Sequence, residues 1–124
     1  MNLSNSKEFL ILTKYKEFLN ILDNLLENIP KKDYFYKNKL KDLSIDLLII
    51  INTINNEENY SFIKNYKVKI NVLINTIDYL IERMFIKGYT SSSNVKKVCY
   101  KLTEINRMSN KWLDNKIDYD SKNK

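Results

Sequence analysis

Five consecutive apolar residues, Leu47, Leu48, Ile49, Ile50 and Ile51, lie inside the stretch LSIDLLIIINTI, and no other feature restricts the fold of this chain as strongly. Successive side chains of a helix turn by about 100°, so such a run points oily groups in every direction. A helix apolar all round needs cover on more than one side: the chain's own core, a membrane or another subunit. The run is closed off by Asp42 and Asp46 on one side and by Asn52, Asn55 and Asn56 on the other. It is far shorter than the roughly 20 apolar residues of a membrane span. At the N-terminus, MNLSNSKEF leads straight into a charged amphipathic pattern where a secretory signal would be oily. The expectation is a soluble cytoplasmic protein with no membrane contact.

The chain has 124 residues, with one glycine and one proline. That is a single-domain length with almost no turn chemistry for hairpins or phosphate-cradling loops, so the chain should be nearly all helix. A lone Cys99 excludes an internal disulfide and any multi-cysteine metal site. With no histidine, the commonest general acid/base and the commonest metal ligand are missing. The Glu-x-x-His pairs of di-metal bundles are excluded on the same ground, as are helical ribonucleases that rely on an arginine-histidine motif. A non-enzymatic protein without cofactor or metal is expected.

Periodicity divides the chain into four segments. Ile11, Tyr15, Phe18, Leu22, Leu25 and Ile29 recur at spacings of four and three, which predicts a helix over about residues 6–28, with Asn5 and Glu8 as a capping box. Its opposite face, with Thr13, Lys16, Asn20, Asp23 and Glu27, is a solvated surface. Pro30 ends this helix, and Asp33 is placed to cap the next. Leu40, Leu43, Leu47, Ile50 and Ile54 form the core stripe of the second helix, and residues 55–59 read as a loop. The third helix, about residues 60–87, carries the core stripe Ile63, Tyr66, Ile70, Leu73, Ile77, Leu80 and Met84. Gly88 then ends it, and Thr90 to Ser93 offer caps for a fourth helix over about residues 94–114. Its inward positions are Val95, Val98, Leu102, Ile105, Ser109 and Trp112, with Cys99 half inward. An all-α, antiparallel up-down-up-down four-helix bundle over residues 5–115 follows, with a polar, disordered tail over 116–124.

Such a bundle buries one stripe per helix, and two helices carry more. Ile45, Leu48 and Ile49 lie on the far side of helix two. A second register on helix three, Val68, Val72, Asn75, Tyr79, Glu82 and Ile86, also steps by four and three. The apolar members, Ile45, Leu48, Ile49, Val68, Val72, Tyr79 and Ile86, are the expected oligomer interface, with Asn75 and Glu82 as polar register-setting positions. A broad core within a thick monomeric bundle is the competing reading.

A net charge of +6 suits an acidic partner, nucleic acid above all, although an Asn-, Ile-, Lys- and Tyr-rich composition also reflects AT-rich codons. Two groups are candidate nucleic-acid or polymerase contacts. Lys31, Lys32, Lys37, Lys39 and Lys41 crowd the start of helix two, where lysines neutralise phosphate without reading sequence. Lys96, Tyr100, Arg107 and Lys111 share one face of helix four, interleaving cations with an aromatic suited to stacking on unpaired bases. A solvated lysine-rich surface, or pairing of Glu104 with Lys101 or Lys111, is the plainer account of each.

Four pieces carry a resemblance: LDNLLENIPK before a Leu/Ile-rich helix, the long YKVKINVLINTIDYLIERMFIKG, the serine-rich link after Gly88, and the closing LTEINRMSNKWL. The pattern, over about residues 15–113, resembles the accessory variability determinant (Avd) proteins of diversity-generating retroelements and the related four-helix proteins encoded in ribosomal RNA intervening sequences. It departs where family members carry Leu-Gly and arginine early in helix two, since this chain has Tyr36, Lys37, Asn38 and Lys39, and where Lys111 replaces a small residue before Trp112. The resemblance implies a non-catalytic, ring-shaped homopentamer with a basic surface. Its implied partners are the retroelement's reverse transcriptase and template RNA, in support of mutagenic cDNA synthesis. An intervening-sequence-type bundle without a retroelement partner is the nearest alternative. An RNA-directed toxin or antitoxin subunit, using Arg83 or Arg107, is another.

Overall fold

Proline, a polar string and glycine interrupt the helical periodicity between successive helices. The computed structural model describes residues 7–56 and 60–122. In it α1 spans Lys7–Leu26, α2 Tyr34–Asn56, α3 Tyr60–Ile86 and α4 Ser92–Lys122, with a 3-10 turn over Lys31–Asp33 and no strand among the described residues. Each helix packs on its neighbour in sequence, and α4 closes back on α1. Lys14 meets Glu104 and Lys101 meets Glu17, so α1 and α4 run antiparallel. The fold is the all-α, up-down-up-down four-helix bundle that the stripes predict.

The ends are set by local chemistry. After α1 the chain turns at Glu27 and Ile29, and Pro30 takes an extended conformation that redirects it into the 3-10 turn. Gly88, at φ +82°, follows α3 in the left-handed region. Its N–H donates to Phe85 and that of Tyr89 to Met84, the paired bonds of a Schellman cap. At the start of α4 the Ser91 hydroxyl accepts the Asn94 amide at 3.1 Å, making Ser91 the cap. Asp33 stands immediately before α2, as its predicted position at the helix start requires, and it also bonds across the fold. Its carboxylate accepts the Tyr89 hydroxyl and faces Lys87 at 3.6 Å, which ties the start of α2 to the α3–α4 link.

All six stripe residues of α1 are buried. The α2 stripe is rotated from its expected centre: Leu40, Leu47 and Ile54 are buried, but Ile51 and Ser44 join them while Leu43 and Ile50 are only half-buried. The rotation has a visible cause, because the buried Tyr15 hydroxyl donates to the Ser44 carbonyl and turns that side of α2 toward α1. On α3, Ile74 and Ile81 join the buried set while Tyr66 and Leu73 are half-buried. Those two lie on the flank facing α2. On α4, Val98, Leu102, Ile105, Ser109 and Trp112 are buried with Leu113, and Val95 is half-buried. The helix starts at Ser92 and runs to Lys122, past the boundary at Asp114 set by the last stripe residues. Asn55 and Asn56 belong to α2, where the Asn56 side chain donates to the Asn52 carbonyl. The expected capping residue Asn5, the remainder of the expected loop at 57–59 and the tail residues 123–124 lie outside the described residues.

Candidate nucleic-acid interface

Ion pairing decides which cations are free to meet a partner. Along the α1/α4 seam Glu17 accepts Lys101 at 2.7 Å and lies 3.8 Å from Lys14, which also faces Glu104 at 3.7 Å. Glu104 thus pairs across the seam with Lys14 and not with Lys111. The Lys101 ammonium holds the Glu17 carboxyl below the usual carboxylate range, and the same bond raises Lys101. Lys67 is bound to Asp114 at 2.6 Å, and Lys87 is engaged by Asp33.

Lys96, Tyr100, Arg107 and Lys111 are all exposed, and none of these cations forms an ion pair among the described residues. Spacings of four, seven and four residues put them on one face of α4, over about 22 Å at 1.5 Å per residue. Arg107 and Lys111 also border a groove of about 200 Å³ between α1 and α4, with Leu10, Ile11, Met108 and Trp112 as its other walls. Two free cations over an apolar floor suit a flat, negatively charged partner, such as an unpaired nucleotide. Sequence periodicity finds the cations, but the groove was missed because Leu10 and Met108 fall outside the stripes.

The five lysines near α2 do not form one cluster. Lys31 and Lys32 stand exposed in the 3-10 turn, whereas Lys37 lies 5.0 Å over the Tyr34 ring. Lys39 and Lys41 are both exposed, but the 100° helical step separates them by about 200° around α2. Lys37 and Lys41, four residues apart, share one side of α2, and Lys39 lies on the other.

The expected oligomer face is partly assembled. Ile45, Ile49, Val68, Val72, Tyr79 and Ile86 are exposed, from 48% at Ile45 to 63% at Val68. Leu48 departs from the expectation: it is half-buried and packs on the core, because its position turns it toward the α1 side of α2. Ile49, Val68 and Val72 converge on an open groove of about 480 Å³ between α2 and α3, floored by Ile50 and Leu73 and flanked by Asp46 and Lys69. Asp46 and Lys69 were missed because each stands one step off the apolar register. Tyr79 and Ile86 continue the ridge along α3.

Cys99 is half-buried, and its thiol donates to Asp78 at 3.4 Å. Burial, then the Asp78 carboxylate, pushes the thiol up to about 11, so it is a poor nucleophile near neutral pH. Among the described residues no group of side chains is placed to hold a metal, and no helix is long and apolar enough to cross a membrane. Compared with protein-family models, curated proteins and solved structures, the chain matches none.

Proposed function

We propose that this chain is a non-catalytic accessory protein of the Avd kind, which binds template RNA and a reverse transcriptase through its basic surface and supports mutagenic cDNA synthesis. The observation that carries the reading is the exposed face of α4, where Arg107 and Lys111, which form no ion pair among the described residues, share a side with Tyr100 and border the α1/α4 groove. Cations with an aromatic at helical spacing bind a flexible polyanion through phosphate contacts and base stacking. Lys31 and Lys32 add charge at the end of the bundle where α2 begins. The apolar α2/α3 face serves self-association, and the protein acts in the cytoplasm.

The test is RNA binding by fluorescence anisotropy across a salt series, together with co-expression of a reverse transcriptase from a retroelement that lacks its own accessory protein. Binding should weaken steeply with salt. Arg107→Glu should weaken it about tenfold or more, and Lys37→Glu, stacked on Tyr34, should do much less. No RNA binding and no co-purification would defeat the proposal. Nuclease activity that survives chelation and maps to Arg83 or Arg107 would favour the toxin reading instead.

A further inference from the structure

We infer that the α1/α4 groove is a one-base subsite: it takes a single unpaired base of a bound RNA strand, with the phosphates beside that base held by Arg107 and Lys111. The inference rests on the proposed RNA binding and names the part of the RNA that the groove holds. Three observations support it. The first is size. The groove encloses about 200 Å³, below the roughly 300–1,000 Å³ of sites for drug-sized ligands. That space suits one flat fragment such as a base, whereas a docked helix needs a trough for anchors on successive turns. The lining suits a base as well. Ile11 and Trp112 are buried beneath it, and half-exposed Leu10 with Met108 forms an apolar wall for an aromatic face.

The second is charge. Arg107 and Lys111 stand on the rim, and the Lys116 ammonium lies 5.5 Å from the Trp112 ring. The carboxylates one helical turn from the rim cations, Glu104 and Asp114, are engaged by Lys14 at 3.7 Å and Lys67 at 2.6 Å. The rim therefore offers positive charge without a competing free carboxylate. Arg107 adds the planar fork that meets two phosphate oxygens at once.

The third is continuity. Beyond the groove the same face of α4 carries Tyr100 and Lys96. A single strand alternates phosphates with bases, and this track alternates cations with places for a base: the groove first, then the Tyr100 ring. An acidic protein segment would satisfy the cations but leave Tyr100 without a role. A duplex keeps its bases stacked inside and has none to insert.

Trp112 is the chain's one tryptophan, so its emission reports on the groove directly. The full chain is titrated with a single-stranded RNA of about six nucleotides, with a ribose-phosphate chain of that length lacking bases, and with a blunt duplex. The single strand should quench Trp112 saturably, and log affinity should fall against log salt with a slope of about −2, as for roughly three phosphate contacts. The base-free chain and the duplex should each bind about tenfold or more weakly and leave the emission unchanged. Leu10→Ala should keep its helical circular dichroism, weaken the single strand about fivefold, and change the base-free chain by less than about twofold. RNA that binds without quenching Trp112, or a base-free chain or duplex that binds as tightly as the single strand, would overturn the inference and leave the proposed RNA binding standing. Quenching by an acidic peptide but not by RNA would overturn it too. No binding of any RNA at roughly 100 µM in low salt would defeat the proposed function along with the inference.

Discussion

Replacing Tyr15 by phenylalanine removes one oxygen from the most enclosed polar contact in the bundle. Tyr15 is fully buried, its ring lies 5.4 Å from that of Phe18, and its hydroxyl donates to the Ser44 carbonyl across the α1/α2 seam. Phenylalanine keeps the ring and its packing, so only the hydrogen bond is lost. The Ser44 carbonyl also lies within helical α2, where it accepts a backbone bond, so it is not left bare. A buried neutral hydrogen bond contributes about 1 kcal/mol net, whereas removing the whole ring in Tyr15→Ala costs about 3–5 kcal/mol. Urea denaturation followed by helical circular dichroism, at one fixed protein concentration, separates the two, with the m-value unchanged in Tyr15→Phe. Alkaline pH gives a second reading. Burial, and then the nearby Asp46 charge, hold the Tyr15 hydroxyl protonated far above its ordinary range. Below about pH 10 both folded and unfolded chains keep this proton. Above it the unfolded chain ionises and the folded one does not, so stability falls as pH rises, by about 1.4 kcal/mol per pH unit for this group. The alkaline limb of Tyr15→Phe should be shallower by that amount. A variant as stable as wild type with an identical alkaline limb would refute the assignment of a buried, bonded hydroxyl.

Two further outcomes follow from side chains in unusual settings. Ser109 is fully buried and its hydroxyl has no hydrogen-bond partner among the described residues, so Ser109→Ala should stabilise the fold by about 1 kcal/mol in the same denaturation assay; destabilisation would show that the hydroxyl is satisfied. The Tyr89 hydroxyl, followed by Lys87, holds the Asp33 carboxyl below its ordinary range. Its stabilising contribution is therefore present above about pH 4 and lost as pH falls through the folded value. Melting temperatures measured across the acid range should show a flatter acid limb in Asp33→Asn than in wild type.

How much of this was legible in the sequence depended on how evenly each helix is surrounded. The stripe of α1 was read closely because one continuous face, Ile11 to Ile29, meets the core, although the equally buried Leu26 lies outside it. The stripes of α2 and α3 were read with the right period but off-centre. Where five apolar residues run together, periodicity does not say which of Ile50 and Ile51 turns inward; a contact from another helix decides it, here Tyr15 on Ser44. The displaced residues, Ile50 and Leu73, became the floor of the α2/α3 groove. On the α4 face, the spacing of Lys96, Tyr100, Arg107 and Lys111 was enough to place them together. The lysines near α2 are spread around the helix because adjacent positions turn by about 100°. The Asp33–Tyr89–Lys87 cluster joins residues more than fifty positions apart, and no local pattern announces it.

The closure of α4 on α1 bears on how the molecule is made. α1 packs more extensively against α4 than against α2, its neighbour in sequence. During synthesis the first helix to emerge must therefore wait for the last to complete its cover, and Ile11, Phe18 and Leu22 remain incompletely shielded while three quarters of the bundle already exists. Closing that contact joins the most distant parts of the chain, which makes it the slow step and the interval of greatest exposure to aggregation. For this bundle, folding finishes only once α4 has been synthesised.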